Sequence, residues 1–404
     1  MADKQVDILI IGGGLTGAIL MLALANKGYS TLLVDNNPLS AKVAADFDAR
    51  TLALSPATVR ILDMLNIWPL LQADATAIET IHVSEQRHFG STHLHSQPDM
   101  PLGYVVEMQH INRVLHQLLD EKRILAPASV SALDKSEGLV TLSTEDNTTI
   151  QIQAKLIVAA DGADSAVRRL SGLSAKTKDY NQLAIVANIG LARAHQACAY
   201  ERFTPSGPLA LLPMTGMRAS LVWALRPDEA ERLLAVDERE FLSRLQKAFG
   251  YRVGRFVKVG KRVIYPLRQV IMPEQTAWPL VFVGNAVHTL HPVAGQGFNL
   301  GLRDVATLAQ CILQHGLNER MLRTYQSMRQ HDQKAISHLT NGLIEVFTSR
   351  IPGVALARNL GLIVVDNISV LKHCLTRYTR GFAGVTPDLV CGIALQDLTT
   401  KESQ

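Results

Sequence analysis

Three clusters of glycine, acid and amide residues carry the chemistry legible in this chain. Gly12, Gly14 and Gly17 form a G-x-G-x-x-G, Asp161 and Gly162 head the run DGADS, and residues 284–304 read GNAVHTLHPVAGQGFNLGLRD. The first cluster has a specific context. An almost unbroken apolar run, 6–11, precedes the glycines, a helix-like stretch covers 18–27, and a second strand over 31–34 ends at Asp35. That is the β-α-β setting of a dinucleotide fingerprint. Its glycines make the tight turn and admit the pyrophosphate to the backbone, and an acid about twenty residues on meets the ribose hydroxyls. Asp35 on its own could equally be a strand-end turn residue. An acid here disfavours a ribose 2′-phosphate, so the fingerprint suits FAD or NAD better than NADP.

The third cluster follows the apolar run 280–283, which ends at Gly284 in the manner of a buried strand. His291, Pro292, Gly295 and Gly297 then break regular structure, and an apolar helical pattern runs on through Leu302, Val305 and Leu308. A glycine-rich loop therefore feeds a helix N-terminus, whose unpaired N–H groups favour an anion such as a reduced isoalloxazine. An ordinary strand-turn-helix connection has the same glycine content. In the middle cluster a strand over 156–160 runs into Asp161-Gly162, with Arg168 and Arg169 following. A D-G turn with no further role accounts for it. The sharper reading has Asp161 ordering a diphosphate and Arg168 or Arg169 offering charge to phosphates.

In this order and at these separations the three motifs resemble the flavoprotein aromatic hydroxylases related to para-hydroxybenzoate hydroxylase, over nearly the whole chain. Within that superfamily, residues 48–55 (DARTLALS) and 291–301 (HPVAGQGFNLG) are similar to the ubiquinone-biosynthesis hydroxylases, most nearly the 2-polyprenyl-6-methoxyphenol hydroxylase branch. One departure bears on this: the superfamily usually has Gly-Asp where this chain has Gly284-Asn285, and Asn285 resembles the variant of that branch. The resemblance implies that Arg50 and Arg113 contact FAD. It also implies that Gly284, Asn285, Pro292, Gly295, Gln296, Gly297 and Asn299 form the ribityl and ring-binding face. Each arginine reads equally well as a solvated surface charge, Arg113 on a helix over 111–121.

The implied activity is that of a FAD-dependent monooxygenase. NADH or NADPH reduces the flavin, O2 reacts with it, and a flavin hydroperoxide delivers one oxygen atom to a polyprenylated phenol in ubiquinone biosynthesis. The cofactor performs the oxygen chemistry while the protein places and polarises. With one complete G-x-G-x-x-G, the nicotinamide cofactor is expected as a transient donor. A base or acceptor near the phenol hydroxyl would help, but no catalytic side chain is identified; His288 and His291 read as structural loop histidines. Three other functions compete. A flavin-dependent halogenase lacks support because Trp68, Trp223 and Trp278 are isolated and the G-W-x-W-x-I-P signature is absent. A flavin-dependent prenyl reductase and a noncatalytic flavin-containing assembly subunit of a lipid-biosynthesis complex remain.

The elements that must position these groups imply an α/β fold: a Rossmann-like FAD-binding domain with an inserted antiparallel β-sheet substrate domain and C-terminal helices. The expected FAD-binding domain is discontinuous, 1–180 and 275–345. β-like runs at 183–189, 209–212 and 219–225 place the substrate layer at 181–274, and 346–404 forms a helical region. A chain of 404 residues exceeds what one core usually serves, so two domains are expected. A formal charge of +4 is small for this length and gives no basis for nucleic-acid binding. Cys198, Cys311, Cys374 and Cys391 are scattered, arguing against zinc and a disulfide framework, so no metal is expected. The apolar run at 8–11 enters the fingerprint directly and is too short for a signal peptide, so a cytoplasmic location is expected. In the tail, Leu356, Leu360, Ile363, Val364 and Leu371 recur at helix-like intervals among Arg350, Arg358, Lys372, Arg377 and Arg380. Arg358, Asn359, Asp366 and Asn367 interrupt any membrane span. Either the helix packs on the body, or it offers an amphipathic face to the inner side of a membrane or to a lipid-carrying ubiquinone-biosynthesis protein.

Overall fold

A computed structural model describes residues 2–38, 47, 50–98, 100–348, 353–368, 372, 376–377, 380–382 and 386–396. Asp48, Ala49, Arg350, Leu371 and Cys374 lie outside the described residues. Among the described residues the strands form sheets of eight, nine and three strands. The first runs in the order β18 (Thr276–Ala277), β19 (Leu280–Phe282), β11 (Thr149–Ala159), β1 (Lys4–Ile11), β2 (Thr31–Val34), β8 (Ile124–Leu125), and β10 (Leu139–Thr144) and β9 (Ala128–Asp134) extend it from β11. From β19 to β8 every pair is parallel. Its apolar faces are covered on both sides, as parallel sheets require. Buried Ile8, Ile10, Leu156 and Val281 pack under α1 (Leu15–Ala23) and α7 (Gln296–His315), and Leu9, Ile157 and Phe282 face the β9–β10 layer. The α7 helix is buried around its whole circumference from 299 to 313, as a helix inside a core must be.

Register decides where the loops emerge. Ile11 pairs with Ala159 and Ala159 with Phe282, so the turns after β1, β11 and β19 leave one edge of the sheet side by side. The carboxyl ends of parallel strands are where α/β sheets bind ligands, and the three sequence clusters occupy those ends. Two glycines allow the close packing. A Cβ on Gly12 would lie 2.4 Å from the Ala160 carbonyl oxygen, and one on Gly17 would lie 1.9 Å from the Gly12 oxygen.

The second sheet runs β20 (His288–Thr289), β17 (Val263–Ile271), β12 (Lys176–Leu191), β15 (Arg218–Leu225), β14 (Gly207–Met214), β13 (Cys198–Thr204), β5 (Thr80–Glu85), β6 (Ser91–His95), with β16 (Phe256–Val259) on β12. It is antiparallel except where β13 meets β5. The sheet therefore draws on three segments, not on 181–274 alone: residues 80–95 arrive from within the N-terminal block and β20 from the loop after β19. One face is packed by α5 (Pro227–Ala235) and α6 (Glu238–Phe249), through Phe241, Leu245 and Phe249. A small sheet of β3 (Thr51–Leu54), β7 (Gly103–Glu107) and β4 (Ala75–Ile78) bridges the two large ones, with α2 (Pro56–Met64) and α3 (Met108–Leu118) beside it. The short α4 (Ala166–Leu170) follows the Asp161 turn. At the C-terminal side α8 (Glu319–Thr348), about 45 Å long at 1.5 Å per residue, runs from the first sheet to the second, where α9 (Val354–Asn367) packs on β6. No helix among the described residues is long and apolar enough to cross a membrane. Cys198, Cys311 and Cys391 are free thiols.

Candidate active site

The glycine loop sits between β1 and α1, tied down by the acid after β2. Asp35 accepts from the Gly13 amide at 2.6 Å and from the Asn37 amide at 2.7 Å, so its first effect is to hold the loop. A carboxylate has about four lone-pair sites, which leaves acceptor capacity for a ribose hydroxyl. Gly14 caps α1 without any side-chain bond, and a Cβ there would meet nothing within 4 Å. Backbone, not side chain, therefore borders the open space.

The Asp161 turn completes the same edge. One carboxylate oxygen of Asp161 accepts from the Val167 amide at 3.1 Å, while its Oδ1 is buried with no hydrogen-bond partner. Buried polar atoms are nearly always bonded, so an orphan at a cleft points to a donor supplied by a ligand. Arg168 and Arg169 act differently from the phosphate-binding reading. Arg168 donates to the Ala286 and Ala163 carbonyls and Arg169 to the Asp164 carbonyl, so Arg168 ties the Asp161 turn to the Gly284 turn.

Residues 284–304 form the third wall. Gly284 has φ +60°, and its amide donates to Asp304 at 3.1 Å. A Cβ on Gly301 would lie 3.1 Å from the Gly284 Cα, and one on Gly284 would lie 3.0 Å from Thr16 of α1. The fingerprint helix, the strand end and α7 therefore meet at this point. Gly295, at φ +58°, precedes α7, whose first N–H groups have no intrahelical acceptor. Asn299 spends its whole amide on structure: it donates to the Ala53 and Gly295 carbonyls and accepts from the Ser55 amide and the Thr58 hydroxyl. It positions β3 against the helix start.

Beneath the loop lies a buried ionic cluster. Asp304 accepts from His288 Nε2 at 2.6 Å, from Arg329 Nε at 2.7 Å and from Gln333 at 3.0 Å, and Arg329 and Arg303 both pair with Asp332. Burial alone would raise the Asp304 carboxyl; the His288 and Arg329 charges overcome this and hold it well below the usual carboxylate range. Sequence reasoning ended the motif at Asp304 without giving it a role. The available signal was an acid set between Leu302 and Val305 in an apolar helix. His291 is different: burial lowers it to about 4, so it is neutral near pH 7. Its Nδ1 accepts from the Val293 amide, which leaves Nε2 to donate to Gln182. It is a structural group.

These loops open into a cavity of about 1130 Å³, beyond the roughly 300–1,000 Å³ of most small-molecule sites. At one end the wall is Gly14, Gly162, Asn285, Pro292, Gly295, Gln296, Gly297 and Asn299 with residues 51–55; Gly162 and Gly297, like Gly14, leave Cβ space empty. The middle is apolar, lined by Ile81, Val83 and Leu94 of β5 and β6 and by Ala199, Phe203 and Leu212 of β13 and β14. The far end passes between α8 and α9, along Leu343, Phe347, Leu362 and Val365. The β5–β6 wall was missed in the sequence, although Ile81 and Val83 alternate with polar neighbours as a half-buried strand does. Neither arginine expected at FAD is part of this wall. Arg113 is outside the cavity wall, its guanidinium 2.7 Å from Asp74, and Arg50 is exposed ahead of β3, its carbonyl bonded to the Met108 amide.

The orphaned Asp161 oxygen, three side-chain-free positions facing open space and two helix N-termini at one sheet edge fit FAD. A model of the FAD binding domain family matches residues 5–339. The chain belongs to this FAD-binding monooxygenase family. It is 37% identical to a ubiquinone hydroxylase, UbiL, of Rhodospirillum rubrum, over 96% of this chain and 92% of that protein. It is 29% identical to the 3-demethoxyubiquinol 3-hydroxylase of Escherichia coli, over 94% of this chain and 100% of that protein. Its fold is that of the p-nitrophenol 4-monooxygenase PnpA from Pseudomonas putida, at a TM-score of 0.78 and 17% identity over 94% of this chain and 99% of the other.

Two outcomes follow from this geometry. Asp304→Asn leaves two buried guanidinium groups, Arg329 and Arg303, sharing the single carboxylate of Asp332, and should lower unfolding free energy by about 3–5 kcal/mol in urea titrations; an unchanged midpoint would show that the cluster does not brace the loop. For His291 the unfolded ring takes its proton near pH 6.5 and the folded ring only near 4. Stability is thus full above pH 6.5 and falls as pH drops toward 4, by at most about 1.4 kcal/mol per pH unit per such group. His291→Gln should flatten that slope between pH 7 and 5, leaving the part owed to His82, lowered to about 4, and to His93, also lowered by burial. Parallel profiles for the two proteins would refute the assignment.

Proposed function

We propose that this protein is a FAD-dependent hydroxylase of ubiquinone biosynthesis, acting on the ring of a polyprenylated phenol, of the 2-polyprenyl-6-methoxyphenol hydroxylase type. The observation that carries this reading is the shape of the cavity. It starts at the flavin-binding edge and continues as an apolar channel long enough for a ring with an extended hydrocarbon tail, whereas a small phenol would need only its first part. The names of the relatives support the same pathway.

Bound FAD supplies the redox chemistry, passing electrons from NADH or NADPH to O2 and one oxygen atom to the ring. The chain's own residues do the rest. The glycine loop and the Asp161 turn bind the diphosphate region, and the α7 N-terminus favours negative charge on the ring system. Ile81, Val83, Leu94 and Phe203 exclude water from the space above it. Glu201 shares the cavity-facing side of β13 with Ala199 and Phe203. It offers an acceptor for the phenolic proton, making the ring more electron-rich as that proton departs. Among the described residues of the wall it is the one carboxylate. The donor is expected to bind transiently, since a second dinucleotide fingerprint is absent from the sequence.

Purified protein should be yellow with noncovalent FAD, and Gly14→Trp should abolish binding in a folded variant by filling the backbone's approach to the diphosphate. A colourless protein that takes up no added FAD would defeat the cofactor assignment. The activity test is NAD(P)H oxidation under ¹⁸O2 with a series of prenylated phenols. The expected result is phenol-stimulated oxidation with one labelled oxygen in the product, whose position identifies the ring carbon. A reduced, unlabelled prenyl chain would instead establish a reductase, and the absence of turnover with bound FAD would favour a noncatalytic subunit.

A further inference from the structure

The α9 helix is built inside out for a helix that faces water. Its buried side carries Arg358, 9% exposed, and Asn359, 1% exposed, beside a single buried leucine, Leu362, among the described side chains of the helix. Both reach Glu85 at the end of β5, and the Gly90 amide donates to Asn359 at 2.8 Å. Asp366, the last residue but one of the helix, accepts from Thr92 and from the His93 amide on β6. The opposite side carries Leu356, Leu360 and Val364 in one row at i, i+4 and i+8, the first two 58% and 50% exposed, and Ile368 continues the row. Surface helices place these residue types the other way round. Beside the row, the β5–β6 turn seated on Asn359 ends in Phe89, 71% exposed, next to Arg87.

The patch is continuous with the cavity. Val346, Ala357 and Gly361 are solvent-exposed and also part of the cavity wall, so the channel opens among the exposed apolar side chains. A mouth of this kind in water would leave its apolar lining wet. We propose that the α9 row and Phe89 dock on a lipid bilayer surface, so that the channel opens into lipid and an apolar molecule can enter without crossing water. An aromatic tip, an apolar helical row and a basic side chain beside the tip, Arg87, are the pattern of an interfacial surface that favours anionic headgroups. The identity of the molecule that enters rests on the hydroxylase reading; the docking surface does not.

The test uses the full chain loaded with FAD and two vesicle types, phosphatidylcholine alone and phosphatidylcholine with phosphatidylglycerol. Wild type should co-sediment with both and more with the anionic vesicles. The triple variant Leu356→Ser, Leu360→Ser, Val364→Ser and, separately, Phe89→Ser should each sediment several-fold less, the triple by at least ten-fold. FAD content and turnover of a tail-less phenol should stay at wild-type levels, while turnover of a long-tailed phenol presented in vesicles falls. Sedimentation of the variants equal to wild type, or no sedimentation of wild type with either vesicle, overturns the proposal. So does a wild-type dimer in the ultracentrifuge that the triple variant converts to monomer, because the patch would then cover a second copy. If no phenol is hydroxylated, the functional reading fails, and sedimentation still decides the docking surface.

Discussion

The buried carboxylate of Asp304 is the constraint on which the site depends. It takes the Gly284 amide from a strand end, His288 from β20, and Arg329 and Gln333 from α8, so the β19–β20 connection, α7 and α8 share one anion. A buried ion pair alone is a doubtful source of stability, because desolvation offsets the attraction unless the remaining lone pairs and protons are also bonded. Here they are largely bonded, and the gain is geometric as much as energetic. With Gly284 fixed from below and Thr16 pressing from the fingerprint helix, the loop after β19 has little freedom to deviate. The same cluster anchors α8, which carries the constraint to the far wall of the cavity.

The two ends of the cavity follow different rules. At the cofactor end backbone is exposed and side chains are missing or turned inward: Asn299 is spent on β3, Arg168 on carbonyls, Asp35 on the loop itself. That arrangement suits a large polar ligand recognised by N–H groups and shape. Beyond it the lining becomes leucine, valine and phenylalanine. Such a wall supplies little orientation, so a molecule held there must be aligned by its volume and by the few polar groups of the wall, Glu201 among them.

How much of this the sequence revealed depends on how local the determining pattern is. β2 over 31–34 matches its expected strand to the residue, and β1 and β19 lie within two residues of theirs, because strand ends and glycine turns are written in adjacent residues. The loops' shared edge was inferable from motif order, although only the register of Ile11, Ala159 and Phe282 makes it a geometric fact. What escaped was partner choice. Nothing local says that the β5–β6 pair joins its sheet through β13, more than a hundred residues away, or that Arg113 turns to Asp74. The acid at 304 was visible, but its partners lie on another helix, and an ionic cluster of that kind is a property of packing.

The polar attachment of α9 also explains how one protein can combine a dry reaction space with an open apolar end. If α9 packed through a full apolar stripe, and not through Leu362 beside polar groups, its outer face would be polar and the channel would close on itself; access would then require unpacking a core. Glu85, Arg358 and Asn359 instead hold the helix by directional bonds at a few points, leaving apolar surface on both the channel side and the outer side. Directional bonds fix position without filling space, so the volume between α8 and α9 remains available to a ligand. A hydrocarbon chain lying there would itself displace water from the route to the cofactor, and the part that makes a substrate difficult to deliver would also seal the chamber in which its ring reacts.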